Sequence, residues 1–534
     1  MSGFTGTWTM TRLFLRRDRV RMPIWIVSIS VLVIASVAAF PGLYVEQGAI
    51  DARNALIMGN PFGIALTGPG HGLDEATPDN LGPVAVNEMS ASTIIAMAFM
   101  GIFLVMRNTR GEEQEGRLEL LRAGIVGRYA AVTAAFLLAS LAALVLGVLL
   151  GVGLSGWYDI AGSFAFGLSM ASVTIVFAAV GVLCAQLTEH SRAATGLATT
   201  TFAVLFTVRA IGDIRDSWVI WLSPVGWAQA IRPFADERWW TLGLTGALAL
   251  ALVACAFFVI ERRDVGAGVL PTRKGRPRAS AALASPLGLA FRLQRGALTA
   301  WTVGMFVFGA TLGSLVLEGE RMLEALGDAY AVYFGDVGDA TLMETFLAGY
   351  LVFVAVTAAG HALQAVSQIR SEEASGHAEA QLAGSLGKGR WAASHVGAAL
   401  LGNVLVLAAA GAGTGATYAL AIEDASQFWP VLLAMLAYAP AVWVLVALAV
   451  ALFGVVPRAF AVVWAAFAWV VVAAMIGPLL GLPEWTMDLD PFAHVPRMPA
   501  EELSVAPLLV MTGISAVLFV VGFVGFRRRG LDFG

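Results

Sequence analysis

The sequence predicts an all-α integral membrane protein with about twelve transmembrane helices, and three observations predict it. The chain of 534 residues is 58% hydrophobic and only 13% charged, whereas soluble domains carry about a quarter charged residues. Its apolar residues are gathered into runs of about twenty, which is long enough for a helix to cross a ~30 Å hydrocarbon layer. An internal repeat then divides these helices into two halves.

Each apolar run is predicted to be one membrane-spanning helix. A signal peptide is a poor alternative for the first run, because the run is as long as a full span and has a counterpart later in the chain. Glycines spaced by four in the third and ninth runs favour close helix packing: Gly147, Gly151, Gly411 and Gly415. The runs lie near residues 22–43, 87–106, 129–154, 162–187, 193–211, 241–260, 297–316, 345–366, 391–418, 429–454, 459–478 and 506–526.

The distribution of arginine predicts the orientation of these spans, since short cytoplasmic loops carry an excess of Lys and Arg. Arginines lie before the first span, around the loop between the second and third spans, after the sixth and after the last. The loop from Tyr44 to Val86 carries one arginine, Arg53, and five acidic residues. We therefore expect a multi-pass protein of the cell membrane with both termini in the cytoplasm.

A repeated motif indicates that the chain arose by duplication of a six-helix unit. The pattern R-x-E-E-x-x-G-x-x-E occurs from Arg110 to Glu119 and again from Arg370 to Glu379, 260 residues later. Shorter matches occur in the same order, at shifts of 262 and 276: Gly127-Arg128 with Gly389-Arg390, and Arg16, Arg19 and Trp25 with Arg292, Arg295 and Trp301. Six spans return the chain to its starting side, which predicts two parallel halves related by a pseudo-twofold axis along the membrane normal. The predicted halves are residues 1–260 and 290–534, joined by a cytoplasmic linker at 261–289.

The motif itself is predicted to form a short cytoplasmic helix near residues 110–123, with its copy near 370–383. In a helix, Glu112, Glu115 and Glu119 would share one face, so the segment could lie along the membrane surface. An ordinary solvated loop helix is the alternative, and it is weakened because the glutamate pair is kept in both halves.

These motifs resemble those of the permease subunits of ABC-2 type exporters, most closely the actinobacterial polyketide-antibiotic and multidrug exporter branch. The resemblance also includes "SPVGWAQAIRPF" from Ser223 to Phe234 and the N-terminal "RLFLRRDRVRMPIW". It implies the ABC-2 exporter fold and an export function for amphipathic natural products, antibiotics or drugs. It also implies that the motif helices rest on two copies of a cytoplasmic ABC ATPase. The residues that would meet the ATPases are Glu112, Glu113, Gly116, Arg117 and Glu119 in the first half and Glu372, Glu373, Gly376, His377 and Glu379 in the second. His377 in place of Arg117 puts the equivalence of the two contacts in doubt.

The chain carries no phosphate-binding loop of its own. The nearest stretch, "AGSLGKGR" around Lys388, lacks the first glycine of G-x-x-x-x-G-K-[ST] and has Gly389 after the lysine. We expect no cofactor in this chain, with ATP and Mg²⁺ bound by the partner ATPases, and neither a catalytic site, a metal site nor a nucleic-acid partner.

An ion-gradient-driven secondary transporter with twelve spans is the alternative function. Such transporters bury titratable groups in the membrane, and the candidates here are His361, Glu88 and Glu344. For His361 a packed histidine is the better interpretation.

Aromatic and methionine side chains in the spans are candidates for a path taken by a bulky, largely apolar substrate. For any single one of them, core packing or lipid exposure is the favoured interpretation. The candidates are Met97, Met100, Phe103, Phe202, Phe206, Tyr350, Phe353, Trp464 and Phe467.

Overall fold

The computed structural model describes residues 3–58, 61–116, 126–263, 268–269, 278–314, 342–476 and 484–531. Within these ranges the chain is helical, and its only β-type pairing is an isolated bridge between Thr77 and Asn80. The chain divides into two compact units, Met1–Gly275 and Arg276–Gly534. The division falls inside the predicted linker at 261–289, of which residues 264–267 and 270–277 lie outside the described ranges.

The first unit contains six long helices and several short ones. A π-helical turn at Arg107–Gly111 prolongs the second long helix, and 3₁₀ turns occur at Leu73–Glu75 and Trp218–Leu222. The α-helices are α1 (Thr7–Arg17), α2 (Arg21–Leu43), α3 (Gln47–Met58), α4 (Pro61–Thr67), α5 (Gly82–Met106), α6 (Glu112–Gln114), α7 (Ala130–Leu154), α8 (Ile160–Leu187), α9 (Ser191–Ile214), α10 (Pro224–Gln229) and α11 (Thr241–Arg262).

The second unit also contains long helices and several short ones. Its 3₁₀ turns lie at Ala281–Ala284, Ala425–Gln427, Pro457–Ala459 and Pro491–His494. The α-helices are α12 (Pro286–Ser314), α13 (Leu342–Ala374), α14 (His377–Leu382), α15 (Lys388–Ala421), α16 (Phe428–Leu436), α17 (Ala439–Val455), α18 (Val462–Ile476), α19 (Glu484–Met487) and α20 (Val505–Arg528).

The described residues contain twelve helices that are long and apolar enough to cross a membrane, which confirms the prediction of an all-α protein with about twelve spans. Each one overlaps a predicted run. The helices extend beyond the apolar windows where polar residues continue the helical backbone: the second reaches Gln114 and the seventh begins at Pro286.

The two units begin differently. In the first, α1 packs Met10 and Phe14 against the start of α7 and ends at Arg17, so that Asp18 interrupts the chain before α2. In the second, α12 runs without a break through Gln294, the counterpart of Asp18 at the shift of 276 residues.

Close contacts between helices depend on glycine, as predicted for Gly147, Gly151, Gly411 and Gly415. A side chain at Gly147 would collide with the backbone of α8 at Gly167, and one at Gly411 would lie 2.8 Å from the Cβ of Met435. Small residues therefore allow these helices to approach closely, which is how membrane helices gain packing contacts.

Candidate functional site

The first copy of the glutamate motif forms the end of the second long helix. The helix passes from α5 through the π-helical turn into α6, so Glu112 and Glu113 lie on a direct extension of the span. It ends at Gly116, whose φ of 70° is left-handed and whose N–H donates to the Glu113 carbonyl at 3.2 Å. A glycine in this conformation terminates a helix without steric cost.

Within the predicted range 110–123, the described helix ends before the left-handed Gly116. Arg117 and Glu119 lie outside the described residues.

The second copy of the motif has the same local structure. The helix α13 carries Glu372 and Glu373 in its last turn, and Gly376, with φ 76°, divides it from the short helix α14. A helix is thus present within the predicted range 370–383, but it begins after the glutamate pair.

The second glutamate of the first copy is buried and held by two arginines. Arg263 donates from Nη1 and Nη2 to the two Glu113 carboxylate oxygens, each at 3.1 Å, and Arg110 Nη1 donates to Oε2 at 2.9 Å. Gln186 Oε1 accepts from Arg263 Nε at 3.0 Å and from Nη2 at 2.7 Å. A two-pronged Arg–carboxylate pair fixes both partners in orientation as well as in distance.

The second glutamate of the second copy is held in the same way. Arg529 donates from Nη1 and Nη2 to the two Glu373 oxygens at 2.6 and 2.9 Å, and Arg370 Nη1 donates at 3.3 Å. The Arg529 guanidinium also lies 4.8 Å from the ring centre of Phe453 and 5.0 Å from that of Phe526. We call these two arrangements the arginine clamps: Arg110, Glu113 and Arg263 in the first unit, and Arg370, Glu373 and Arg529 in the second.

In each clamp the distant arginine directly follows the last long helix of its own unit. Arg263 follows α11 and Arg529 follows α20. Each clamp therefore joins the end of the second long helix to the end of the sixth. Sequence reasoning used these arginines only as markers of orientation. Their equal placement after the sixth and twelfth spans was the signal that could have identified them.

The first glutamate of each pair has different partners in the two units. Glu112 is paired with Arg17, the last residue of α1. Glu372 instead accepts a hydrogen bond from Gln368 at 2.7 Å and one from Gln381 at 3.2 Å, with His377 Nδ1 3.8 Å away.

Several predicted ATPase-contact residues are exposed and several are not. The carboxylates of Glu112, Glu113, Glu372 and Glu373 are 10%, 4%, 8% and 0% exposed. Glu379 and His377 are exposed on α14. Glu115 is exposed at the end of the first motif.

Predicted substrate-path residues of the first unit lie mostly in its core. Met97, Met100 and Phe202 are buried, and Phe202 contacts Phe206, with ring centres 5.7 Å apart. Phe103 is 40% exposed.

In the second unit, Tyr350, Phe353 and Phe467 are half-buried against the core, while Trp464 is 41% exposed beside Phe467. The structure gives core packing to most of the candidates.

The titratable groups of the alternative function are held by other side chains or packed. Glu88 accepts from Arg53 Nε at 3.0 Å and from the Tyr44 hydroxyl. His361 is buried, 6.2 Å from the ring centre of Trp301. Glu344 lies in the first turn of α13.

Comparison with known proteins gives two matches. The family described as "Multidrug efflux system permease Rv1217c, C-terminal domain" matches residues 79–259 and 283–527. The chain is also 37% identical, over 99% of its length and 96% of the relative's, to the multidrug efflux system permease protein Rv1217c of Mycobacterium tuberculosis.

Proposed function

Because the chain belongs to this family of multidrug efflux permeases, we propose that it is the membrane subunit of an ATP-driven exporter of the ABC-2 type. In this proposal it moves amphipathic natural products, antibiotics or drugs out of the cell. Two copies of a separate cytoplasmic ABC ATPase supply the energy and bind the ATP and Mg²⁺. The bilayer surrounds a multi-pass chain with both termini in the cytoplasm.

The observation that best supports ATPase coupling is the arginine clamp, which occurs once in each unit. A helix that only lay on the membrane surface would not need a buried carboxylate held by a two-pronged arginine. Burying such charges is costly unless they are paired, so the clamps favour a mechanical role. A push on the motif would move the second and sixth long helices of that unit together.

Two motif copies imply two docking surfaces. The exposed residues Glu115 in the first unit and His377 and Glu379 in the second would contact the ATPases. Gly116 and Gly376 would set the direction in which the following segment leaves the helix. ATP-driven movement would then switch the units between inward-open and outward-open arrangements, because packed helices change between discrete arrangements rather than deforming continuously.

Charge reversal at the exposed acidic positions tests the proposal. We expect Glu115→Arg combined with Glu379→Arg to weaken binding of an ATPase encoded beside the permease gene by about tenfold or more, because interfacial charges are matched in sign. The measurement is co-purification and ATP hydrolysis in nanodiscs. A matched control is Glu75→Arg combined with Glu423→Arg, which makes the same charge change at exposed loop positions away from the motifs.

Two results would contradict the proposal. One is that no ATPase assembles with the unaltered chain. The other is substrate movement that follows a proton or sodium gradient, which would favour the secondary-transporter function and direct attention to His361, Glu88 and Glu344.

A further inference from the structure

A cleft with a mainly apolar lining and several polar side chains lies at the end of the first unit opposite its glutamate motif. It is bounded by the first turns of α5, by the part of α8 around Ser169 and Met170, and by the connecting segments near residues 67–71 and 228–233. The cleft opens to solvent, and its cavity volume is about 30 Å³. Asn87, which lines it, lies near one end of α5, whereas the glutamates lie beyond the other end.

Several polar side chains of the lining already have partners. Asn87 Nδ2 donates to Thr67 Oγ1 at 3.1 Å, and its Oδ1 accepts from Arg53 Nη2 at 2.6 Å. The hydroxyls of Ser90 and Ser169 donate to backbone carbonyls of their own helices. These groups are therefore engaged within the protein.

Two other side chains of the lining each carry a buried atom that has no hydrogen-bond partner among the described residues. Gln229 is 8% exposed and its acceptor Oε1 is buried without a partner, as is the donor Arg232 Nε. His71 also lines the cleft. Burial and the nearby Arg232 and Arg238 lower the pKa of His71 to about 4, so near neutral pH the imidazole is uncharged and offers one N–H. A buried polar group without a partner is costly unless something else satisfies it.

The loop that carries Arg232 is held in a strained conformation. Arg232, Phe234 and Asp236 have φ values of 56°, 61° and 59°, a region that costs non-glycine residues about 1–3 kcal/mol each. The Phe234 ring holds the loop in place by packing against Gly82 and Gly162, where any side chain would collide with it. Strain of this kind is concentrated at ligand-binding sites.

We propose that this cleft binds the anionic group of an amphiphile, a phosphate or carboxylate carried on an apolar body. The Arg232 guanidinium and the neutral His71 imidazole can donate to such a group, the Gln229 amide can donate only through its Nε2, and no carboxylate is among the described residues that line the cleft. Nearby carboxylates lie outside the lining, and Glu237 accepts from the Phe234 N–H at 3.2 Å. The carboxylates of Asp216 and Asp236 also lie near His71 and Arg232, respectively. Val86 and Met170 provide apolar contact beside the donors.

The anionic group could belong to a lipid of the membrane or to an exported molecule. The binding test uses the purified full-length protein in phosphatidylcholine nanodiscs, with calorimetric titration of octyl phosphate, octyltrimethylammonium and inorganic phosphate. In a separate measurement, the protein is exchanged into nanodiscs that contain phosphatidylglycerol, and native mass spectrometry detects whether this lipid stays bound. None of these measurements needs an ATPase, so they succeed or fail independently of the proposed function.

We expect octyl phosphate to bind more tightly than octyltrimethylammonium, and Arg232→Gln to weaken octyl phosphate binding about tenfold or more, because charge-assisted hydrogen bonds are the strong ones. The control is Arg215→Gln, an exposed arginine outside the lining, which should leave binding unchanged. Gln229→Glu adds a carboxylate at the cleft and should reduce phosphate binding even if Arg232→Gln fails to fold.

Selective retention of phosphatidylglycerol that is lost in the cleft variants would assign the site to lipid. Octyl phosphate binding without such retention would assign it to a soluble amphiphile. Equal binding by Arg232→Gln and Arg215→Gln, or equal affinity for the cationic amphiphile, would overturn the proposal. Unchanged phosphate binding in Gln229→Glu would overturn it as well.

Discussion

The two glutamate motifs keep the same backbone and the same clamp, yet they surround the clamp with different chemistry. In the first unit the clamp arginines are nearly inaccessible, since Arg110 and Arg263 are 1% and 6% exposed. In the second, Arg370 and Arg529 are 21% and 17% exposed. The first glutamate of the pair has an arginine partner in one unit and amide partners in the other. Duplication thus preserved the joint between the second and sixth helices, while the neighbouring contacts diverged.

The divergence follows from what each unit places beside the motif. The break at Asp18 lets Arg17 reach Glu112, and Asp18 itself pairs with Arg107 and accepts from Asn108 Nδ2 at 2.7 Å. In the second unit the continuous helix α12 has Gln294 at the same place, and Gln294 donates to the Ala365 carbonyl at 3.3 Å instead. An ionic network at the first copy is therefore replaced by neutral hydrogen bonds at the second.

We expect the two copies to differ most in their effect on stability when the clamp glutamate is replaced by the neutral glutamine. Glu113→Gln leaves two buried guanidiniums facing an amide, and breaking a buried pair in this way costs about 3–5 kcal/mol. Glu373→Gln should cost less, because water reaches Arg370 and Arg529. Thermal unfolding of the two variants in the same detergent measures the order.

Arginine-to-lysine variants of the two clamps provide a matched control. Arg263→Lys and Arg529→Lys keep the charge but lose the two-pronged geometry, so each should destabilise less than its glutamate variant. Equal losses for Glu113→Gln and Glu373→Gln would show that exposure does not distinguish the two clamps.

A smaller difference is expected at the first glutamate of each pair. Glu112→Gln removes the charge that faces Arg17, and because the Arg17 side chain is 21% exposed we expect a loss of only about 1 kcal/mol. Glu372→Gln keeps an acceptor for only one of the two amide donors, Gln368 and Gln381, and it removes no arginine pair, so we expect a loss of about 1 kcal/mol or less that does not depend on charge. Chemical denaturation followed by tryptophan fluorescence measures both.

Measuring the stability of the same two variants at low and high salt concentration separates ionic contacts from neutral ones. Screening should reduce the effect of Glu112→Gln and leave Glu372→Gln unchanged. A salt-dependent loss in Glu372→Gln would mean that a cationic side chain faces Glu372 and would contradict the assignment of neutral partners.

The sequence was sufficient to predict the helices and the repeated motif, but not the clamps. Apolar runs of about twenty residues have few structural alternatives, and so the twelve spans could be predicted directly. The partner of Glu113 lies 150 residues away, and nothing in local periodicity selects Arg263 from its neighbour Arg262. Helical periodicity also cannot reveal that Gly116 adopts a left-handed conformation, so one helix was expected where the chain turns.

The comparison of the two units also covers the pH dependence of stability. It concerns a short helix or helical turn at the end of each unit that lies opposite its glutamate motif. Ser223 begins α10 by accepting from the Val225 N–H at 3.2 Å, and Asp490 begins the Pro491–His494 turn by accepting from the Phe492 N–H at 2.9 Å. Each cap precedes a proline and is almost fully buried. Only the second cap can titrate.

The smallest expected effect is a pH dependence of stability, and it follows from the ability of Asp490, but not Ser223, to titrate. Burial raises the pKa of Asp490 from 3.8 to about 6, against the opposing effects of the Phe492 N–H and His494. The folded state therefore holds this proton more tightly than the unfolded state, so its contribution to stability falls as the pH rises from about 4 to 6 and is constant above. Asp490→Ser copies the cap of the first unit and should remove that slope without losing the cap. Unfolding free energies measured between pH 4 and 7 test this, and an unchanged slope in Asp490→Ser would place the titrating group elsewhere.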